Sequence, residues 1–437
     1  MFYPISTPCG IIRGTASRHP GVVAYKGIPY AQAERWTYPT ETRHWDGILD
    51  ATEYGPACVQ QRAYKAEVDS RNPFYYYEFR KGVTFTYEEN CLCLNIFTPE
   101  QAKNAPVIVY IHGGAFLGGS SDELCFDEPD WPKHGVVAVT LNYRLGPFGY
   151  ACFEELAERE GQTGNYGLYD QLTALKWIKT NISSYGGDPE NVTLMGQSAG
   201  AVSVQHLISS PLARGLIHRA IMASGGGRGR MFGPTVAAED RFFLGRDLLK
   251  ALDCRRVDEL RTIPPKLIID AYDSLLQSDF HKYWGSCSIV VDHIAVMPSI
   301  NEIESGEQLD IPYMIGSTSE DLDPSMILDA QEWSVMQGKP SFSYFFERKL
   351  PGDEKGAFHS ADLWYWFGTL DRCWRPFIER DFELSSQMKQ YLINFARTGN
   401  PNSEDLPLWE SGEMGRTLCF GQEETAMIPL VVEASHP

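Results

Sequence analysis

Two short stretches of the chain are apolar at almost every position. Val107-Ile108-Val109-Tyr110-Ile111 and Val136-Val137-Ala138-Val139-Thr140-Leu141 are rich in β-branched residues and carry no charge. That is the pattern of strands buried on both faces. Between Tyr169 and Ile182 the period changes, and Leu172, Leu175, Trp177 and Ile178 fall on one side of a helix that ends near Asn181. Gly186-Gly187-Asp188-Pro189 then predicts a turn, and Val192-Thr193-Leu194-Met195 predicts another buried strand. Further helices are predicted over Glu239–Leu252 and Leu384–Thr398. Apolar strands alternating with helices indicate an α/β fold with a mostly parallel sheet covered on both faces. No internal repeat, low-complexity tract or long linker interrupts the pattern, so residues 1–437 are read as one domain.

Composition narrows the function classes. The 437 residues include 38 Lys+Arg against 57 Asp+Glu, a formal charge of −19. Such acidity argues against a general binder of nucleic acid or anionic membrane, because phosphate rewards Lys and Arg. No uncharged apolar run approaches the roughly 18 residues of a membrane span. The ten cysteines form no CxxC or Cys/His cluster with zinc spacing, so neither a metal nor a cofactor is expected. The N-terminus lacks a basic segment followed by a long apolar core, which leads us to expect a cytoplasmic protein. A mature secreted chain given an initiating Met reads the same way.

Chemistry enters directly after the strand ending at Met195. Gly196-Gln197-Ser198-Ala199-Gly200 is followed by the helix-like run Ala201–Ile208, which sets a G-x-S-x-G motif between strand and helix. A sharp turn there exposes the Ser198 hydroxyl, and small neighbours let the helix pack against the strand. His112-Gly113-Gly114-Ala115-Phe116 follows the strand ending at Ile111. A glycine-rich loop in that place can aim backbone N–H groups at a developing oxyanion. Either motif alone fits an ordinary turn; together, in this order, they point to acyl transfer.

With these motifs in view, the chain resembles the type-B carboxylesterases, the cholinesterase-like branch of the α/β-hydrolases. The resemblance rests on Tyr25-Lys26-Gly27-Ile28-Pro29-Tyr30-Ala31, Glu89-Asn90-Cys91-Leu92-Cys93-Leu94-Asn95-Ile96 and Asn142-Tyr143-Arg144-Leu145-Gly146. Gly164–Gln171, Gly186–Pro189 and Asn394–Asn402 extend it over nearly the whole length. It implies an α/β-hydrolase fold and a serine carboxylesterase that needs no cofactor and takes a small-molecule ester. Ser198 would be the nucleophile, His359 the base and Asp321 the acid. Glu320 is the next candidate for the acid, because matching across a loop can slip by one residue. The oxyanion donors would be the N–H groups of Gly114, Ala115 and Ala199. Ser224 matches a family serine that hydrogen-bonds the acid; an ordinary buried hydroxyl fits it equally well.

The departures from the family pattern are informative. Gln197 stands where many relatives have Glu, which weakens the case for cationic choline esters. Cys58 and Cys91 correspond to the family's first disulfide, and in a reducing compartment they would remain thiols. His359 follows Asp321 by only 38 residues, where relatives insert a long helical segment. This predicts a shallower, more open pocket, with Phe74, Tyr75, Tyr76 and Tyr77 as a candidate aromatic rim. Gly225–Arg230 is a candidate lining. Short-acyl or aryl esters are the expected substrates. Amidase or thioesterase chemistry at the same triad, and a non-catalytic binding module, stand as alternatives. The oligomeric state is not legible.

Overall fold

The computed structural model describes residues 2–65, 73–227, 234–301, 308–412 and 416–429. At its centre the strand Ala105–Ile111 pairs in parallel with Val137–Leu141 on one side and Gly187–Gln197 on the other. The parallel run continues through Arg219–Ala223, Tyr313–Thr318, Ser341–Phe346 and Arg416–Phe420. Antiparallel strands flank it at both edges, Cys93–Pro99 and its neighbours on one and Thr425–Pro429 on the other. Thirteen strands of the described residues belong to this sheet.

Alternation along the central strand explains why both faces are covered. Val107, Val109 and Ile111 point into one apolar core, while Ile108 and Tyr110 point into a second. Successive strand side chains face opposite sides, so an unbroken apolar strand needs a layer on each. Helices Tyr166–Asn181 and Ala199–Ile208 supply the first layer through Leu172, Leu175, Trp177, Val204 and Leu207. Helices Leu363–Phe367 and Glu379–Thr398 supply the second through Trp364, Trp366, Leu384, Met388 and Tyr391. Hence an α/β sandwich.

Several boundaries differ from the sequence pattern for local reasons. Gly187-Asp188-Pro189, expected as a turn, opens the strand Gly187–Gln197, because Gly187 pairs with Ala105. The turn itself closes at Gly186, where φ is +81°. The helix expected over Glu239–Leu252 is a 3-10 turn, Ala238–Arg241, running into a helix at Phe242–Ala251. The last long helix starts at Glu379 rather than Leu384. There the Asp381 carboxylate accepts the N–H of Ile378 at 2.9 Å and satisfies a free donor at the helix start.

Candidate active site

Ser198, Asp321 and His359 each come after a strand of the parallel run, on the side where open α/β sheets place their ligand crevices. The strand Gly187–Gln197 runs into Ser198, and the helix Ala199–Ile208 starts one residue later. Ser198 is held at φ 56°, ψ −127°, a strained backbone for a non-glycine residue. The strain is imposed by close packing around the turn. A Cβ on Gly200 would meet the carbonyl oxygen of Ile111, and one on Gly196 would meet the backbone of Gly200. Larger residues at either position would push helix and strand apart.

Gly113, Gly114 and Ala115 lie beside this turn. A Cβ on Gly113 would come within 2.7 Å of the Gln197 carbonyl oxygen and 3.0 Å of the Ser198 Cβ. Gly114, Ala115 and Phe116 all have positive φ (110°, 56° and 60°), so the loop curls back on itself. The Gly114 carbonyl accepts the N–H groups of Leu117 and Gly118. Among the described residues no acceptor meets the N–H of Gly114 or Ala115. Ala199 opens its helix, where the first N–H groups have no intrahelical acceptor. His112 is buried and stacks on Tyr143, and burial pushes its imidazole down to about 4, so it is neutral at pH 7.

Asp321 lies three residues beyond the strand Tyr313–Thr318, and its side chain is 1% exposed. Its Oδ1 accepts from His359 Nδ1 at 2.5 Å and from the Leu322 N–H at 2.8 Å. Its Oδ2 accepts from Ser224 Oγ at 2.6 Å and from the N–H and hydroxyl of Thr318, both at 3.1 Å. Burial by itself would raise this carboxyl. The hydrogen bond and charge of His359, with the donors Ser224 and Thr318, outweigh it and hold the carboxyl at about 2. Ser224 is thus bound to Asp321, the stronger of the two readings of its hydroxyl. Glu320 turns away: its carboxylate accepts the Ala357 N–H and faces Lys349 Nζ at 3.7 Å.

With Nδ1 donating to Asp321, Nε2 of His359 is left as an acceptor. The Gln197 amide reaches it at 3.2 Å, a contact the sequence pattern did not indicate. Ser198 and His359 are each 7% exposed and share the wall of one cavity of about 610 Å³. Gly113, Gly114, Ala115, Gly225 and Gly226 line it too. Tyr75 and Phe79 supply an aromatic side, while Phe74 packs instead edge-on against Phe358. Arg228 and Arg230 lie outside the described residues. Between Asp321 and His359 the chain builds one helix, Met326–Val335, which walls the cavity through Met326, Asp329 and Ala330.

Two further features were not legible. Arg62 and Arg80 enter the cavity wall, each donating to Glu123 at 3.1 Å. Asp362 is buried behind His359, with Tyr344 and Trp366 on its Oδ2. Cys58 and Cys91, by contrast, are found as two buried thiols and not as the bond that the resemblance implies. The Leu145 N–H donates to the Cys58 sulfur at 3.2 Å. A hydrogen bond with Cys58, then burial, pushes the Cys91 thiol up. No group of metal-ligating side chains occurs among the described residues.

Known proteins resemble the chain along its length. The carboxylesterase family model matches residues 4–333 and 324–426. The para-nitrobenzyl esterase of Bacillus subtilis (strain 168) is 33% identical over 489 aligned positions, covering 96% of this chain and 95% of its own. Carboxylesterase 4A of Bos taurus is 28% identical, covering 92% and 88%. A solved PNB esterase superposes with a TM-score of 0.85 at 28% identity, covering 98% and 97%. A thermophilic PNB esterase gives 0.84 at the same identity, covering 98% of each chain. The 489 positions exceed the 437 residues present, so the Bacillus protein carries residues with no counterpart here. The family match breaks within 324–333, between Asp321 and His359.

Proposed function

The chain belongs to the carboxylesterase family of α/β-hydrolases, carboxylic-ester hydrolases, and from that premise we propose that Ser198, His359 and Asp321 form its catalytic triad, acting on short-acyl or aryl esters. The observation that carries the reading is the run of hydrogen bonds from Ser224 through Asp321 to His359, beside the strained turn at Ser198. A serine hydroxyl needs a base to become a nucleophile. His359 Nε2 takes the Ser198 proton while Oγ attacks the ester carbonyl. The oxyanion collects the N–H groups of Gly114, Ala115 and Ala199, each worth about 3–4 kcal/mol in the transition state. His359 then passes the proton to the leaving alcohol, and water activated by the same imidazole frees the acid. Asp321 holds the imidazole in the tautomer this requires. Aryl groups suit the cavity, since Tyr75, Phe79 and the 43% exposed Trp284 line it.

The test combines labelling with a substrate panel. A fluorophosphonate is expected to modify Ser198, located by peptide mapping, and to abolish hydrolysis of p-nitrophenyl acetate. Matched esters are expected to turn over faster than the corresponding amide and thioester. Asp321→Asn is expected to lower kcat by about 10⁴-fold with little change in KM. Hydrolysis that survives with Ser198 unmodified would overturn the assignment, as would full activity in Asp321→Asn.

A further inference from the structure

Asp321 has a single methylene between backbone and carboxyl, yet it reaches His359 Nδ1 at 2.5 Å. The two backbones must therefore be held close at this point, and the residue before Asp321 is what joins them. The N–H of Glu320 donates to the Ala357 carbonyl at 3.1 Å, and the Ala357 N–H donates back to the Glu320 carboxylate. Glu320 and Phe358 form an isolated parallel bridge. In that register the next pair along is Asp321 and His359. Outside the bridge, Ser319 Oγ donates to the same carboxylate at 3.2 Å and Lys349 Nζ lies 3.7 Å from it. Gly356 is at φ +64°, and a Cβ there would enter the Glu320 carboxylate, so the loop is shaped around this side chain. Glu320 itself does not line the cavity.

We propose that Glu320 is a positioning residue, a clamp on the loop carrying His359 that sets the gap between Asp321 and His359. The proposal rests on the triad reading above and adds to it. The clamp fixes backbone separation, so it acts on the orientation of the imidazole and not on substrate affinity. Glu320 is accordingly not an alternative acid but part of the support for the acid beside it.

The experiment uses the full-length chain with p-nitrophenyl acetate. Glu320→Ala is expected to lower kcat by about 10- to 50-fold with KM within about threefold, since a misoriented base harms the transition state selectively. Glu320→Gln keeps a side-chain carbonyl to accept the Ala357 N–H and is expected to hold kcat within about threefold. Asp321→Glu adds a methylene that the clamped gap has no room for. Combined with Glu320→Ala, it is expected to be at least about fivefold more active than the two single losses multiplied together. Gly356→Ala presses on the same carboxylate, is expected to lower kcat in the same way, and reads out the clamp if Glu320→Ala does not fold. Wild-type kcat in a folded Glu320→Ala variant, or in Gly356→Ala, overturns the clamp while leaving the triad standing. A wild-type chain that neither hydrolyses the ester nor labels at Ser198 instead overturns the triad reading.

Discussion

Two buried carboxyls flank the His359 loop and behave in opposite ways. Asp321 meets donors on both oxygens and is held at about 2. Asp362, three residues beyond His359, receives Tyr344 and Trp366 on Oδ2, while no hydrogen-bond partner for its Oδ1 occurs among the described residues. Burial raises it to about 6 against those donors, and the like charge of Asp321 adds to the rise. A folded-state pKa above the unfolded carboxylate value of about 3.9 means the folded chain binds this proton more tightly. Its contribution is therefore fully present below about pH 4 and is lost as pH rises through 6. Asp362→Asn removes the cost of ionising a buried acid and keeps an acceptor for Tyr344. It is expected to raise stability at pH 7 by about 2–3 kcal/mol and to leave it nearly unchanged at pH 4. Urea unfolding at the two pH values measures the difference; an equal shift at both would show that Asp362 does not titrate in this range.

Elements built from neighbours in sequence were legible, and elements held by distant charges were not. The strand, the turn at Ser198 and the helix after it lie within one stretch, so spacing alone revealed them. The Asp381 carboxylate that starts the last helix early is local too, but its effect is an added turn at the helix start that apolar periodicity does not register. The short helix Phe74–Phe79 is the opposite case. Its Glu78, 297 residues away from Arg375, is buried against it, with side-chain exposures of 0% on both. Trp364 and Trp374 donate to Glu78 as well, and Arg375 continues to Asp353. Nothing in the run Phe74–Phe79 announces that partnership. Glu78 ties the helix carrying Tyr75 and Phe79 to the segment that follows His359. Glu78→Ala leaves Arg375 paired with Asp353 but takes the acceptor from its Nε and from the two indole N–H groups, and is expected to cost about 3 kcal/mol. KM for an aryl ester should rise as well, because the aromatic wall loses its anchor. A stability loss with KM unchanged would confine Glu78 to folding.

At the scale of the whole molecule, the sheet brings residues 198, 321 and 359 to one edge because each follows the end of a parallel strand. For Ser198 this was legible from its own strand and helix; Asp321 and His359 came from the family resemblance, since the strands Tyr313–Thr318 and Ser341–Phe346 are not among those the apolar pattern predicts. What lies between acid and base was legible only as a shortage: one ten-residue helix stands there and forms the cavity wall. The wall's charges come from far apart in sequence, Arg62 and Arg80 on one side and Asp323 and Asp329 on another, so no motif showed them. Over all of this lies a formal charge of −19. An anionic ester must approach against that field, which acts before any contact with the wall. Raising ionic strength from about 0.01 M to 0.15 M shortens the Debye length from about 30 Å to 8 Å, so only the long-range part of the repulsion is removed. For an aryl ester bearing a distal carboxylate, kcat/KM is expected to rise several-fold over this range. The uncharged methyl ester of the same compound should change by less than about 1.5-fold, and a trimethylammonium analogue should fall. Equal responses from all three would mean that the net charge of the chain does not govern approach to Ser198.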